Sequence, residues 1–178
     1  PGNAENAWST YLGGEADDQG QSVAVDDEGN IYIAGSTSSA GWTSGGWDTT
    51  YNGGGDAFVV KLTSDGVHVW SSYFGGDGED LAYGISVDGD GNILVAGRTS
   101  SDGWVSGAWD STYNGSNDGF VVKLTSTGVP VWSSYLGGAA ADERHRCGAE
   151  RSLAGSRRIR RGGACQRAQR VGRSCRCA

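Results

Sequence analysis

An all-β fold made of β-propeller blades, each a four-stranded antiparallel sheet, is what the sequence predicts. It is read as an incomplete stretch of about two blades followed by a disordered tail. Three observations lead there: a gapless 62-residue repeat, four short strand patterns in each unit, and 32 glycines against 2 prolines in 178 residues. Glycine at this frequency, without a Gly-X-Y period, means either disorder or many tight turns. Short β-branched and aromatic runs lie between these glycines and call for burial, which favours turns between short strands.

The repeat is direct. The run Trp8 to Gly14 (WSTYLGG) returns at Trp70 to Gly76 (WSSYFGG) and at Trp132 to Gly138 (WSSYLGG), 62 residues apart each time. Laying 8–69 over 70–131 needs no gap, and 37 of the 62 positions are identical. Internal self-similarity of this kind marks a repeat architecture.

Each unit reads as four strands. Gln21 to Asp26 forms the first and Asn30 to Gly35 the second, with Asp27, Glu28 and Gly29 turning between them. The second copy turns through Gly89, Asp90 and Gly91, a composition suited to a hairpin. After a long polar loop, Ala57 to Thr63 forms the third strand; Ser64, Asp65 and Gly66 turn the chain into the fourth, Val67 to Phe74. Alternation places Phe58, Val60 and Leu62 on one face and Val59 and Lys61 on the other. Apolar residues on both faces of the first two strands (Ala24 against Val23 and Val25, Tyr32 against Ile31 and Ile33) predict a sheet covered on both sides.

Solenoid coils run to roughly 20–47 residues, so four strands and a long loop in one unit fit a propeller blade better. The expected division is 1–7 as the end of a preceding blade or a linker, 8–69 and 70–131 as two repeats, and 132–142 as the start of a third. Propellers close with about four to eight blades, so the chain is expected to be a piece of a larger propeller or to assemble with other copies.

The charge breaks sharply. Residues 1–138 hold 3 Lys and Arg against 18 Asp and Glu, a net of −15, and residues 139–178 hold 11 Arg against 3 acids, a net of +8. So acidic a body repels nucleic acid. No apolar run is long enough to span a bilayer. All four cysteines (Cys147, Cys165, Cys175, Cys177) fall in the tail, without CxxC pairing. Register holds through Asp142, but 143–178 is Arg, Gly, Ala, Ser and Cys with few large aliphatics. That composition builds no core. A frameshift product of GC-rich DNA accounts for a break in mid-repeat better than a functional basic tail does, and the tail is assigned no role.

Three motifs in fixed order now bring out a family likeness. Trp-Ser-x-Tyr-x-Gly-Gly (Trp8 to Gly14), Val-Asp-x-x-Gly-Asn-Ile (Val25 to Ile31) and Asp-x-Phe-Val-Val-Lys-Leu (Asp56 to Leu62) recur from Trp70, Val87 and Asp118. Across residues 8–138 the chain resembles the SBBP family, the bacterial β-propeller repeat. The resemblance implies a propeller in a large extracellular or cell-surface bacterial protein. It carries over no catalytic residues.

Two groups of residues are candidate sites. The long loop, Ser36 to Gly55 and again Arg98 to Asn117, holds Trp42, Trp47 and Tyr51, matched by Trp104, Trp109 and Tyr113. Flat aromatic faces beside Asp, Asn and Thr suit a sugar ring. The competing reading is that these rings pack within the blades. The second group is the acidic turns, with Asp26, Asp27 and Glu28 in one copy and Asp88, Asp90 and Asn92 in the other. They crowd oxygen ligands as Ca2+ would require. However, counting from Asp88, the sixth and twelfth positions of a Ca2+ loop are Ile93 and Thr99 rather than Gly and Glu. Asp and Asn also stabilise tight turns themselves. Ca2+ is thus the one cofactor candidate.

Catalysis is not expected. The repeat body has a single histidine, His68, whose counterpart is Pro130, and the carboxylate pairs Asp17/Asp18 and Glu79/Asp80 sit side by side in turns. The expected role is a non-enzymatic scaffold or binding module, secreted or at the cell surface. Its partners would be the other blades of the propeller and an extracellular glycan or protein. The alternative is a carbohydrate-binding or carbohydrate-active propeller using the Trp-rich loops.

Overall fold

The computed structural model describes residues 8–138. The expectations for residues 1–7, for the third repeat beyond Gly138, and for the tail with its four cysteines lie outside the described residues. Eight strands follow in chain order: β1 (Asp18–Val25), β2 (Ile31–Thr37), β3 (Asp56–Leu62), β4 (His68–Phe74), β5 (Asp80–Val87), β6 (Ile93–Thr99), β7 (Asp118–Leu124) and β8 (Pro130–Leu136). They form two four-stranded antiparallel sheets, β1-β2-β3-β4 and β5-β6-β7-β8, with neighbours in sequence paired throughout. These are two propeller blades. The break between sheets falls after Phe74, so a unit counted from Trp70 starts inside β4.

Turn chemistry explains why the hairpins close here. The Asp26 carboxylate accepts the backbone N–H groups of Glu28 and Asn30, while Gly29 takes a φ of 83° that a side chain would resist. Asp88 does the same for Asp90 and Asn92 around Gly91. Bulges recur at matched places, at Gly20/Ser22 and Ala82/Gly84 and again at Lys61/Leu62 and Lys123/Leu124. The repeat therefore extends to the irregularities of the sheet.

The long loop returns along the outer edge of its own blade. Ser71 and Tyr73 donate their N–H groups to the Ser44 and Asp48 carbonyls, and Ser133 and Tyr135 do likewise to Ser106 and Asp110. This satisfies part of an edge that would otherwise invite pairing with another chain.

One face of the first blade carries Phe58, Val60 and Leu62, packed with Leu12, Ile31, Ile33 and Trp42. Its other face sends Tyr32, Ala34, Val59, Trp70 and Phe74 into one core with Ile93, Val95, Phe120, Val122 and Leu124 of the second blade. The expectation that both faces are covered holds for β2 and β3 but not for β1, where Val23 and Val25 are 63% and 59% exposed. Nothing among the described residues packs there. Their counterparts in β5, Ile85 and Val87, lie against the shared core because the first blade supplies the cover.

Candidate functional site

The six loop aromatics separate into two kinds. Trp42 meets Phe58 and Tyr73 edge-on, with ring centroids 5.1 and 6.1 Å apart, and its Nε1–H donates to Thr37 Oγ1 at 3.0 Å. Trp104 repeats this against Phe120 and Tyr135, donating to Thr99 at 3.1 Å. Tyr51 and Tyr113 lie against Tyr73 and Tyr135. Those phenols in turn donate to the Ser39 and Ser101 carbonyls, which tie the loops down. Four of the six rings therefore spend their faces on blade packing. Trp47 and Trp109 remain, 59% and 87% exposed.

The acidic turns are brought together. Asp26, Asp27 and Glu28 lie across a hollow of about 400 Å3 from Asp88 and Asp90, with Lys61 and Ser126 on the rim. Yet the two leading carboxylates are already occupied. Asp26 accepts from Asn30 Nδ2 and the Tyr32 hydroxyl as well as from the turn N–H groups. Burial pushes this carboxyl up, but the bonds from Asn30, Tyr32 and Glu28 outweigh it and hold it below its usual range. Asp88 is held far lower, first by the Lys123 ammonium 2.9 Å away and then by the Asn92 and Asp90 turn bonds. Asn92 Nδ2 itself points at Asp88, at 3.1 and 3.2 Å. Asp27, Glu28 and Asp90 are exposed, Glu28 accepting one long bond from Asn30. No three His, Cys, Asp or Glu side chains among the described residues stand close enough to hold a metal ion. The hollow is a negative well with Lys61 at its edge. That lysine donates to the Ser126 carbonyl and lies 5.1 Å from the centre of the Tyr32 ring, bridging the blades.

Two carboxylates are buried at the blade junction: Asp56, named in the sequence only as the start of a strand motif, and Asp80, read there as half of a turn pair with Glu79. Asp56 and Asp80 are both 0% exposed, and the Asp80 N–H donates to the Gly55 carbonyl across the junction. Burial, helped by the charges of Asp80 and Asp48, pushes the Asp56 carboxyl up to about 7 against the pull of the Asn52 N–H. Asp80 is also pushed up by burial, although Ser101 Oγ and the Gly76 N–H donate to it. The signal for both was present: Asp18 and Asp80, like Asp56 and Asp118, recur at 62 residues at strand starts. His68 is exposed and its Nε2 sits 3.0 Å from Ser71 Oγ, with no carboxylate on the imidazole. No helix among the described residues is long and apolar enough to cross a membrane.

Comparison with known proteins gives the same architecture. Residues 7–45 and 69–103 match the family model SBBP, described as a β-propeller repeat, and residues 45–67 match the DUF5122 β-propeller domain. A stretch of 117 residues is 31% identical to the regulatory protein FlaEY of Caulobacter vibrioides. It covers 63% of this chain and 12% of that protein, so the chain spans only a small part of the relative's length.

Proposed function

We propose, for a chain that carries the β-propeller repeat of the SBBP family, a non-enzymatic role as scaffold or binding module of a bacterial protein outside the cell or on its surface. One observation carries this reading: the aromatic and acidic side chains that could bind or react are spent on packing and turns inside each blade. Trp42, Trp104, Tyr51 and Tyr113 brace the loops, and Asp26 and Asp88 fold their own turns. Location is tested by protease shaving of intact cells: release of repeat peptides supports the surface, and protection until lysis contradicts it.

A second reading rests on Trp47 and Trp109, the two loop indoles left open to solvent. Exposed indoles beside Asp48 and Asp110 offer a sugar ring an apolar face and polar neighbours. A glycan array probed with the full chain tests it. Binding that disappears in Trp47→Ala plus Trp109→Ala supports a carbohydrate module, and an array with no signal removes it.

A further inference from the structure

The run Trp8 to Gly14 plays, on the first blade, the part that β4 plays on the second. Trp70 Nε1 donates to the Ser126 carbonyl at 3.3 Å, and Trp8 Nε1 donates to the Ser64 carbonyl at 3.0 Å. Each indole lies flat on a turn glycine: a Cβ on Gly128 would meet the Trp70 ring at 3.0 Å, and one on Gly66 would meet Trp8 at 2.6 Å. Phe74 fills the shared core, and Leu12 fills the cluster of Phe58, Val60 and Leu62. The seat on the first blade is thus complete and occupied.

Its occupant is held weakly. Residues 8–14 belong to no strand, Trp8 is 37% exposed, and Tyr11 is fully exposed although its counterparts Tyr73 and Tyr135 are 0% exposed. A third copy of the same key exists at the other end of the described chain. Trp132 to Gly138 differs from Trp8 to Gly14 only in having Ser134 where the first has Thr10. This copy is already built into a sheet as part of β8. Its apolar groups are unfilled: Leu136 is 45% exposed, and a hollow of about 310 Å3 lies between Gly107, Trp109, Val121, Trp132, Ser134 and Leu136. Among the described residues no acceptor meets Trp132 Nε1. The matching face of the first blade is closed by the second blade, which tells what shape fits here.

We propose that the second blade of one copy docks on the first blade of another, Trp132 and Leu136 displacing Trp8 and Leu12 from the seat formed by Ser64, Gly66 and the Phe58 cluster. The contact is head to tail, so it joins copies into a ring or an open row rather than a symmetric pair. It also reproduces the blade junction already seen within one chain. The described body is strongly acidic, so copies repel one another, and added salt strengthens the apolar contact by screening that repulsion.

Sedimentation velocity of the full chain tests this, run with reductant so that the tail cysteines do not cross-link, over a range of concentrations at low and high salt. The expected result is concentration-dependent association that grows with salt. Trp132→Ala should raise the concentration for half-assembly about tenfold or more, as loss of a buried interface tryptophan does. Trp8→Ala removes the internal competitor and should lower it several-fold, an effect no general loss of stability produces. Circular dichroism shows that both variants remain folded. A chain that stays monomeric throughout overturns the proposal, as does association indifferent to Trp132→Ala. So does association that salt abolishes, which would belong to the Arg-rich tail gripping acidic bodies.

Discussion

The two blades share 37 of 62 aligned positions and the same strand registers, bulges and turn bonds, yet their surfaces differ widely. Tyr32, Val59, Trp70 and Phe74 are almost wholly buried on the first blade, whereas Trp132 and Leu136, which match Trp70 and Phe74, are half open on the second. On the opposite faces the contrast reverses: Val23 and Val25 are exposed, and Ile85 and Val87 are packed. Most contacts made inside a blade recur in the other, although Asp88 pairs with Lys123 where Asp26 takes the Tyr32 hydroxyl. Contacts made between blades exist once. Burial in this fold is therefore a property of the neighbour as much as of the residue, as expected where each repeat touches only the next.

That difference can be broken most strongly at the paired tryptophans. Trp70→Ala should cost about 3–5 kcal/mol, because it empties a packed junction and removes one of the two donors, with Lys61, to the Ser126 carbonyl. Trp132→Ala, in dilute protein, should cost about 1 kcal/mol, because its surroundings are partly solvent. Urea denaturation of both variants measures the gap, and equal costs would mean that the blades do not lean on each other.

The junction should also declare itself through pH. Asp56, buried beside Asp80, has its carboxyl raised from 3.8 to about 7 by folding. The folded chain then binds more protons than the unfolded one between those values, so stability falls as pH rises through that window. A shift of this size corresponds to on the order of 4 kcal/mol. Denaturation midpoints near pH 5 should exceed those near pH 8, and Asp56→Asn should flatten the slope. A wild-type midpoint that climbs over that range would contradict the assignment. Asp88 acts in the opposite sense: its carboxyl is lowered, so its contribution is lost only in acid below the ordinary carboxylate range.

A smaller change sharpens the other half of the comparison. Tyr73→Phe and Tyr135→Phe each delete a phenol that donates to a loop carbonyl, Ser39 or Ser101, within one blade. Both should cost about 1–2 kcal/mol, and by the same amount, since neither contact crosses the junction. Unequal losses would show that the loops depend on neighbouring blades after all.

Much of this was legible in advance for a physical reason. Alternation reports which residues share a face, so Phe58, Val60 and Leu62 could be grouped before any coordinates, and the Asp-rich turns fixed where the hairpins close. What alternation cannot report is whether a face is covered. Val23 and Ile85 carry the same pattern and meet different surroundings. Nor does loop sequence say which tryptophan turns inward. Trp42 and Trp47 are five residues apart with no strand period between them, and only the Thr37 hydroxyl and the Phe58 and Tyr73 rings decide that Trp42 is the one that packs. The buried Asp56 and Asp80 stood at a visible 62-residue spacing from their counterparts, but a carboxylate at a strand start reads as exposed; Asp118 is 1% exposed as well, so the strand-start site buries it without a neighbouring blade.

The most direct test of a single covered junction is hydroxyl-radical footprinting of the dilute full chain, with oxidation at each tryptophan read by mass spectrometry. Trp109 and Trp47 should react fastest and Trp132 more slowly. Trp70 should be nearly inert despite its identical place in the repeat. Equal reactivity of Trp70 and Trp132 would mean that the second blade does not cover the first, and the account built on that junction would fall.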